Sequence, residues 1–169
     1  MSVKSDRVKI VNFTPEMAEN LFISSQDDNM KRFLPDEVYE NTAQAEAVIH
    51  KIIEFYTSAE GPFVYAVINE NDENVGHVEA CKIRDGYEMG YHIASRYAGN
   101  GYATEVVRAF VPVMMDKLNI NHIYGITLEE NVASVRVLEK CGFSLVHKGK
   151  GLYQGKERNI RKYVYKKAD

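Results

Sequence analysis

The sequence has little cysteine and no long apolar run, and both absences narrow the class of protein. Its two cysteines, Cys81 and Cys141, show neither the spacing of a metal site nor that of a disulfide framework. No apolar stretch approaches the roughly 18–20 residues that cross a bilayer, and the start, MSVKSDRVKIVNF, lacks the apolar core of a signal peptide. We therefore expect a cytoplasmic protein with reduced thiols, no resident metal and no membrane partner.

An excess of positive charge is also missing, because the formal net charge is −3. A protein that binds nucleic acid without regard to sequence needs a strongly basic face, so the composition argues against that class. The C-terminal region is locally basic, at Lys148, Lys150, Lys156, Arg158, Arg161, Lys162, Lys166 and Lys167. We interpret these side chains as the solvated surface of a hairpin rather than as a site for a polyanion.

What the sequence does contain is the pattern of one domain over residues 1–169, without internal repeats. Apolar alternation and turn signals predict seven strands, at 7–13, 63–68, 75–83, 87–94, 123–127, 143–148 and 161–166. Helical spacing predicts four helices: one that starts with Thr14 and Pro15, one capped by Thr42, one over 103–118, and one capped by Asn131 and ended by Gly142. Residues 24–41 are predicted to be irregular.

The order of these elements predicts the fold class. The strand, helix and strand between residues 87 and 127 form a crossover unit, which is parallel and right-handed in nearly all folds. The strands before it are joined by short turn signals and should be antiparallel. We expect an α+β fold, in which helices flank both faces of a mixed, mainly antiparallel sheet. Pro112, inside the third helix, should kink or break it.

The stretch SRYAGNGYATE, residues 95–105, places Gly99 and Gly101 just before a helix begins. Glycine costs about 0.5–1 kcal/mol relative to alanine in regular structure, so its presence needs a reason. The first turn of a helix has unpaired N–H groups and a partial positive charge, and glycines allow a phosphate to approach them. Thr104 could add a hydroxyl. No Lys-Ser/Thr pair and no third glycine follow, so this is neither of the common nucleotide loops.

Two blocks, EMGYHIASRYAGNGYATEVVRAF and ITLEENVASVRVLEKCGFSLV, together resemble the GNAT superfamily of acetyl-CoA-dependent N-acetyltransferases. Within it the chain is similar to the Rim-type branch, which includes ribosomal-protein N-terminal acetyltransferases. The first block carries a Glu-hydrophobic-Gly-Tyr strand at 88–91 and the Gly-x-Gly-Tyr-Ala-Thr-Glu loop at 99–105. The second carries Asn131, Ser134 and a Leu-Glu-Lys-x-Gly-Phe run at 138–143. Two motifs in the right order make the resemblance specific.

The resemblance implies how acetyl-CoA is bound. The fourth predicted strand, 87–94, would splay from the fifth, 123–127, and the pantetheine arm would lie in the gap, with Asn131 on its far side. The loop usually begins with Gln or Arg, for which this chain has Ala98, but contacts from backbone amides survive that change. The implied cofactor-binding residues are Ile93, Ala94, Ala98, Gly99, Asn100, Gly101, Tyr102, Ala103, Thr104, Asn131 and Ser134.

The resemblance also supplies groups for the oxyanion and the leaving thiolate. Backbone amides of a bulged fourth strand near Tyr91 would stabilise the oxyanion. In many members a tyrosine of the last helix protonates the thiolate, and the matching position here is Leu138. Ser134 is the substitute that the Rim-type motif suggests.

For the base that deprotonates the amine, Glu88 is the first candidate because it lies within the family pattern. His92 is the second, because an imidazole has a suitable pKa. Glu79 and His77, on the neighbouring strand, are further candidates. A bulge at Gly90 would decide which side chains face the site, so the sequence leaves the base open.

The expected activity is therefore direct transfer of an acetyl group from acetyl-CoA to a primary amine. A protein or peptide α-amine is the first choice of acceptor. A small amine such as an aminoglycoside or a polyamine is an alternative, and a non-catalytic acyl-CoA-binding sensor is another. Segment 24–41, the second helix and the last hairpin should form the acceptor site. The protein should be a monomer or a homodimer.

Overall fold

A computed structural model describes residues 1–167 and contains one sheet of eight strands. The strands are β1 (Ser2–Lys4), β2 (Val8–Asn12), β3 (Phe63–Asn69), β4 (Asn74–Ile83), β5 (Gly86–Ile93), β6 (His122–Leu128), β7 (Ser144–Tyr153) and β8 (Lys156–Lys166). Their spatial order is β1-β2-β3-β4-β5-β6-β8-β7, and only the β5–β6 pair is parallel among the described pairs. The α+β class is confirmed, but the expected number of seven strands was wrong. The additional strand, β1, has three residues, too few to show an alternating pattern.

Five α-helices accompany the sheet in the described residues: α1 (Ala18–Ser25), α2 (Asp28–Phe33), α3 (Thr42–Phe55), α4 (Tyr102–Leu118) and α5 (Val132–Lys140). Short 3₁₀ helices lie at Pro15–Met17, Pro35–Glu37 and Ser95–Tyr97. The prediction of an irregular 24–41 segment was wrong, since it contains α2 and one 3₁₀ helix. The predicted cap of α3 was also wrong, because the side chain of Asn41, not Thr42, accepts the N–H of Gln44 at 2.9 Å.

Helices pack on both faces of the sheet, as expected. One core, which includes Ala18, Ile49 and Ala66, lies between α1, α3 and the sheet. The other, with Val106 and Phe110 of α4 at its centre, lies on the opposite face. No helix within residues 1–167 is long and apolar enough to span a membrane.

The helix α4 runs without interruption through Pro112, so the expected local break does not occur. Pro112 lies on the exposed side of α4. The carbonyl that loses its donor is that of Arg108, which is exposed as well. The missing backbone hydrogen bond therefore falls on the solvent side, where water can replace it.

The sheet opens between β5 and β6. These strands pair only at Glu88 with Tyr124 and at Met89 with Gly125, and they separate beyond that point. The expected splay is therefore present, between the fifth and sixth strands of the actual sheet. Because α4 follows β5 and α5 follows β6, both helices begin near the open end.

The expected bulge at Gly90 is absent. The β4–β5 register is continuous from Ile83 opposite Gly86 to Gly76 opposite Ile93. Gly90 lies opposite Glu79, and a Cβ at Gly90 would be 2.7 Å from Glu79 Oε1. The glycine therefore makes room for the carboxylate of Glu79 rather than for an irregular backbone.

Candidate active site

A cleft of about 450 Å³ occupies the opening between β5 and β6. We call one part the α5 end, where the cleft is lined by Gly99, Thr104, Asn131 and Ser134. The other part, the α2 end, is lined by Asn29, Phe33, Leu34, His77 and Glu79. The cleft thus reaches from the start of α4 and α5 through the split sheet to α2.

The two loop glycines have left-handed backbone conformations at the α5 end. The φ angles are +80° at Gly99 and +83° at Gly101, the residue that caps α4. A Cβ at Gly99 would meet no heavy atom of the described residues within 4 Å, and one at Gly101 would lie 3.4 Å from Arg7 Nη2. Glycine is therefore needed for the backbone angle, and its missing side chain leaves the first amides of α4 open.

Arg7, which directly precedes β2, attaches the glycine loop to the start of that strand. Its backbone N–H and its Nε donate to the carboxylate of Glu105, at 2.7 and 2.9 Å, and its Nη1 donates to the carbonyl of Asn100 at 2.9 Å. Burial disfavours the charge of Glu105, but these bonds and one from Ser5 outweigh it and lower its pKa. No local sequence pattern marks Arg7, since its partner Glu105 is distant along the chain.

The edge of β5 presents free backbone groups to the opening. The N–H of Ala94 donates to Val75 at 2.9 Å, and the register continues from that pair. Since hydrogen-bonded pairs alternate along an antiparallel ladder, His92 and Gly90 bond to β4, while Tyr91 and Ile93 direct their N–H and C=O groups toward β6. Because β6 has already separated, these groups face the cleft.

Two hydroxyls and an amide meet at the start of α5. The Oδ1 of Asn131 accepts the N–H of Ser134 at 3.2 Å, so Asn131 caps the helix while it also lines the cleft. The Oγ of Ser134 lies 3.1 Å from the Oη of Tyr91. Burial is the main cause that raises the pKa of Tyr91 to about 12, so the phenol keeps its proton at neutral pH. The hydroxyl of Tyr91 was missed by sequence analysis.

Leu138 occupies the position at which many GNAT members have tyrosine. It is buried and packs on Gly125, where a Cβ would be 2.7 Å from its Cδ2. An aliphatic side chain cannot donate a proton, so Tyr91 and Ser134 are the hydroxyls near this wall of the cleft.

The α2 end of the cleft carries carboxylates and imidazoles on the sheet face covered by α1 and α3. Burial, together with the charge of Glu37, raises the pKa of Glu79 to about 7. Burial and the neighbouring His77 lower the pKa of His92 to about 4, so its imidazole is neutral. The Nε2 of His92 is buried and has no hydrogen-bond partner within residues 1–167. A carboxyl group that titrates near neutrality and an unpaired ring nitrogen therefore both lie at this end of the cleft.

Glu37 and His77 form an ion pair behind this surface, with Oε2 and Nε2 3.2 Å apart. Burial opposes the charge on both groups. For Glu37 the hydrogen bond and charge of His77 outweigh burial and lower its pKa. For His77 the hydrogen bond to Glu37, with the charges of Glu37 and Glu79, outweighs burial and raises its pKa.

Comparison with known proteins gives the family. The model of the acetyltransferase (GNAT) domain matches residues 7–144, well over half of the chain. This chain belongs to the GNAT acetyltransferase family. It is 28% identical over 167 residues to the N-acetyltransferase YoaA of Bacillus subtilis, with 96% of this chain and 88% of that protein covered. The protein is accordingly an acetyl-CoA-dependent acetyltransferase.

Solved structures share the fold. The ribosomal L7/L12 α-N-protein acetyltransferase RimL, in complex with coenzyme A, superimposes with a TM-score of 0.84 at 15% identity, with 98% of each chain covered. The ribosomal-protein-S5-alanine acetyltransferase of Vibrio fischeri gives 0.81 at 17% identity, with 98% of this chain and 96% of that chain covered. At such identities the likeness shows the GNAT fold.

The cleft fits acetyl-CoA at the α5 end. The open amides at the start of α4 suit a pyrophosphate, and the free groups of Ile93 suit the amides of a pantetheine arm. Among the described residues that line the cleft, the lysine and arginine side chains are Arg136 and Lys140, both exposed on α5. These cations are suited to the phosphates of the same molecule.

Most of the residues expected to bind the cofactor are brought together here. Those that line the cleft are Ile93, Ala98, Gly99, Gly101, Tyr102, Ala103, Thr104, Asn131 and Ser134. Ala94 and Asn100 are not among the lining residues. Ala94 is buried, and its backbone N–H donates to the carbonyl of Val75. The side-chain amide of Asn100 donates to the carbonyl of Tyr97 at 3.1 Å.

Of the expected catalytic residues, Ser134 and His92 line the cleft and Glu88 does not. Glu88 lies opposite Tyr124, where β5 and β6 are still paired, so it is at the closed end of the opening. Burial raises its pKa, although the charge of Lys162 opposes the rise. Glu79, a lower-ranked candidate, is the carboxylate that faces the cleft.

Proposed function

We propose that the enzyme transfers the acetyl group of acetyl-CoA directly to the α-amine of a protein or peptide. The observation that carries this proposal is Glu79, a carboxylate with a pKa of about 7 that lines the α2 end of the cleft. An α-amine has a pKa of about 7.7–8.0, close to that of Glu79, whereas the amine of lysine is near 10.4. A base of this strength suits the first nucleophile.

In this proposal Glu79 receives the proton of the amine, and the neutral Nε2 of His92 accepts a hydrogen bond that orients it. His92 itself is a poor base, because burial and His77 hold its pKa low. Glu88 takes no part in this transfer, because it lies near the closed end of the opening. Glu88, the first candidate from the sequence, therefore gives way to Glu79, which lies opposite Gly90 on the neighbouring strand.

The remaining groups serve the oxyanion and the thiolate. Acetyl-CoA supplies the thioester; the amide C–N bond forms and the C–S bond breaks, while one proton leaves the amine and one is needed by the thiolate. The backbone N–H of Tyr91 faces the opening and is placed to stabilise the oxyanion. In this proposal the hydroxyls of Ser134 and Tyr91, 3.1 Å apart, donate hydrogen bonds to the leaving sulfur, and the thiolate takes up through solvent the proton that Glu79 releases.

Two structural neighbours support a protein acceptor, since RimL is a ribosomal L7/L12 α-N-protein acetyltransferase and the Vibrio fischeri protein is a ribosomal-protein-S5-alanine acetyltransferase. The same proposal includes membership of the Rim-type branch, a monomeric or homodimeric state, and a cytoplasmic location. Because the chain is an enzyme of the GNAT family, the non-catalytic sensor is set aside.

The test uses peptides that carry one internal lysine, each with either a free or a blocked N-terminus. We expect acetyl transfer, monitored by thiol release, only with the free N-terminus. Mass spectrometry should locate the acetyl group on the α-nitrogen. Acetylation of lysine alone would contradict the proposal. Transfer to an aminoglycoside or a polyamine, with none to any peptide, would replace it with the small-amine alternative.

A further inference from the structure

The residues from Asp27 to Tyr39 form a wall over the α2 end of the cleft, which we call the cleft wall. It contains α2 and the 3₁₀ helix Pro35–Glu37, and it contributes Asn29, Phe33 and Leu34 to the lining. All of its residues are described, and Met30 is the one that is fully buried. A segment with so little buried apolar surface opens at a low free-energy cost.

Polar contacts therefore hold the cleft wall in place. At its base the Nε2 of Gln26 donates to the carbonyl of Tyr39 at 2.7 Å. At its start the carboxylate of Asp27 accepts the N–H and the hydroxyl of Ser95. At its far end Glu37 pairs with His77. The first contact closes the two ends of the wall on each other, and the other two join the wall to the segment after β5 and to β4.

The pair of Glu37 and His77 differs from the other ion pair of the wall by its burial. Arg32 and Glu130 are 3.8 Å apart with side chains 62% and 53% exposed, a kind of pair that contributes little. The side chains of His77 and Glu37 are only 8% and 26% exposed. Removal of one partner of a largely buried pair leaves the other uncompensated.

We propose that Glu37 is a positioning residue for the acceptor, because its ion pair with His77 holds the cleft wall, and with it Phe33 and Leu34, against the α2 end. The proposal rests on the proposed function only in that this end receives the amine. Glu37 is not among the residues that line the cleft, so it acts through the wall and through His77.

The pair depends on pH in a defined direction. The titratable groups that interact with it are Glu79 and Cys81 on β4, His92 on β5, Tyr153 on β7 and Tyr39 at the end of the wall. Glu37 must be ionised and His77 protonated. Since the pKa of His77 is raised from 6.5, the pair persists above that pH and is lost as the pH rises through the raised value.

Hydrogen exchange of the backbone amides tests this proposal without any turnover. In Glu37→Gln we expect amides of residues 28–38 to exchange at least about tenfold faster than in the wild type, with no change in α4 or β6. This ratio should fall toward one as the pH rises through the pKa of His77. The matched control is Glu46→Gln, which removes an exposed Glu–His pair on α3 and should leave the wall unchanged.

A kinetic measurement separates positioning from a merely structural role. With a peptide acceptor, Glu37→Gln should raise the acceptor KM severalfold and change kcat by a smaller factor, while the Kd of coenzyme A stays the same. If no peptide is acetylated, the proposed function fails, whereas the role of Glu37 is still decided by exchange. Unchanged exchange in Glu37→Gln, or a ratio that does not vary with pH, would overturn the role of Glu37.

The wild-type protein provides a second measurement in case Glu37→Gln lowers the stability of the whole chain. Exchange in residues 28–38, divided by exchange in α5, should rise with pH through the pKa of His77. A constant quotient would count against the role of Glu37 as firmly as an unchanged variant.

Discussion

A single glycine explains why the acid that faces the cleft lies on β4. Gly90 has no Cβ, and the carboxylate of Glu79 occupies the space where one would be. Glu79 is thereby held at the opening in a buried position, with the charge of Glu37 nearby, and both effects raise its pKa to about 7. Glu88, two residues before Gly90 on β5, lacks this exposure to the cleft.

Replacement of either carboxylate separates their roles. Glu79→Gln should lower kcat/KM at pH 7 by about 10²–10⁴-fold, the usual contribution of a general base, while Glu88→Gln should have a much smaller effect. A base must be ionised, so the wild-type kcat/KM should fall as the pH drops below about 7. In Glu79→Gln this limb should move up to the acceptor's own pKa, about 7.7–8.0. The pH profiles of both variants provide the measurement. A larger loss in Glu88→Gln would return the role of base to that residue.

At the scale of elements, local patterns were sufficient for most of the sheet and for the glycine loop. The alternating strands and the capped start of α5 depend on neighbours in sequence, and they were predicted. The strand β1 and the helix α2 were not, because one has three residues and the other six. Helix α2 also depends on Asp27, whose carboxylate both caps it and binds Ser95, 68 residues away.

The same distinction applies to the candidate site. Most of the residues named inside the two motifs line the cleft, because one loop and one helix start carry them, whereas Glu88, Ala94 and Asn100 do not. The roles of Arg7 and Glu37 were not predicted, since their partners Glu105 and His77 are far along the chain. The choice between Glu79 and Glu88 required the β4–β5 register and the absence of a bulge, which periodicity cannot provide.

The glycine loop can be tested with a matched pair of substitutions. Gly99 and Gly155 both have positive φ, +80° and +71°, and a Cβ at either would meet no described heavy atom within 4 Å. Valine at each position should therefore cost a similar free energy of unfolding, about 1–3 kcal/mol. Only Gly99→Val should weaken coenzyme A binding, by about tenfold or more, as calorimetry would measure. Equal affinities in the two variants would remove the loop from the phosphate site.

At the scale of the whole molecule, the two ends of the cleft differ in charge. The formal net charge of the chain is −3. Arg136 and Lys140 nevertheless line the α5 end, while Glu79 lines the α2 end with Glu37 behind it. The phosphates of acetyl-CoA are thus attracted to the α5 end before contact.

This separation of charge predicts how coenzyme A stabilises the protein. At a hundred times its Kd in 0.1 M salt, coenzyme A should add about 2.7 kcal/mol, or about 5–11 °C in Tm for a chain of this size. At the same concentration in 1 M salt the shift should shrink, because the Debye length falls from about 10 to 3 Å and the cations on α5 are exposed. Two controls should show no reduction of the Tm shift by salt. One is pantetheine, which has no phosphate, and the other is coenzyme A with the double variant Arg136→Gln and Lys140→Gln. Thermal melts at the two salt concentrations provide the measurement. A coenzyme A shift that salt leaves unchanged would mean that backbone amides alone hold the phosphates.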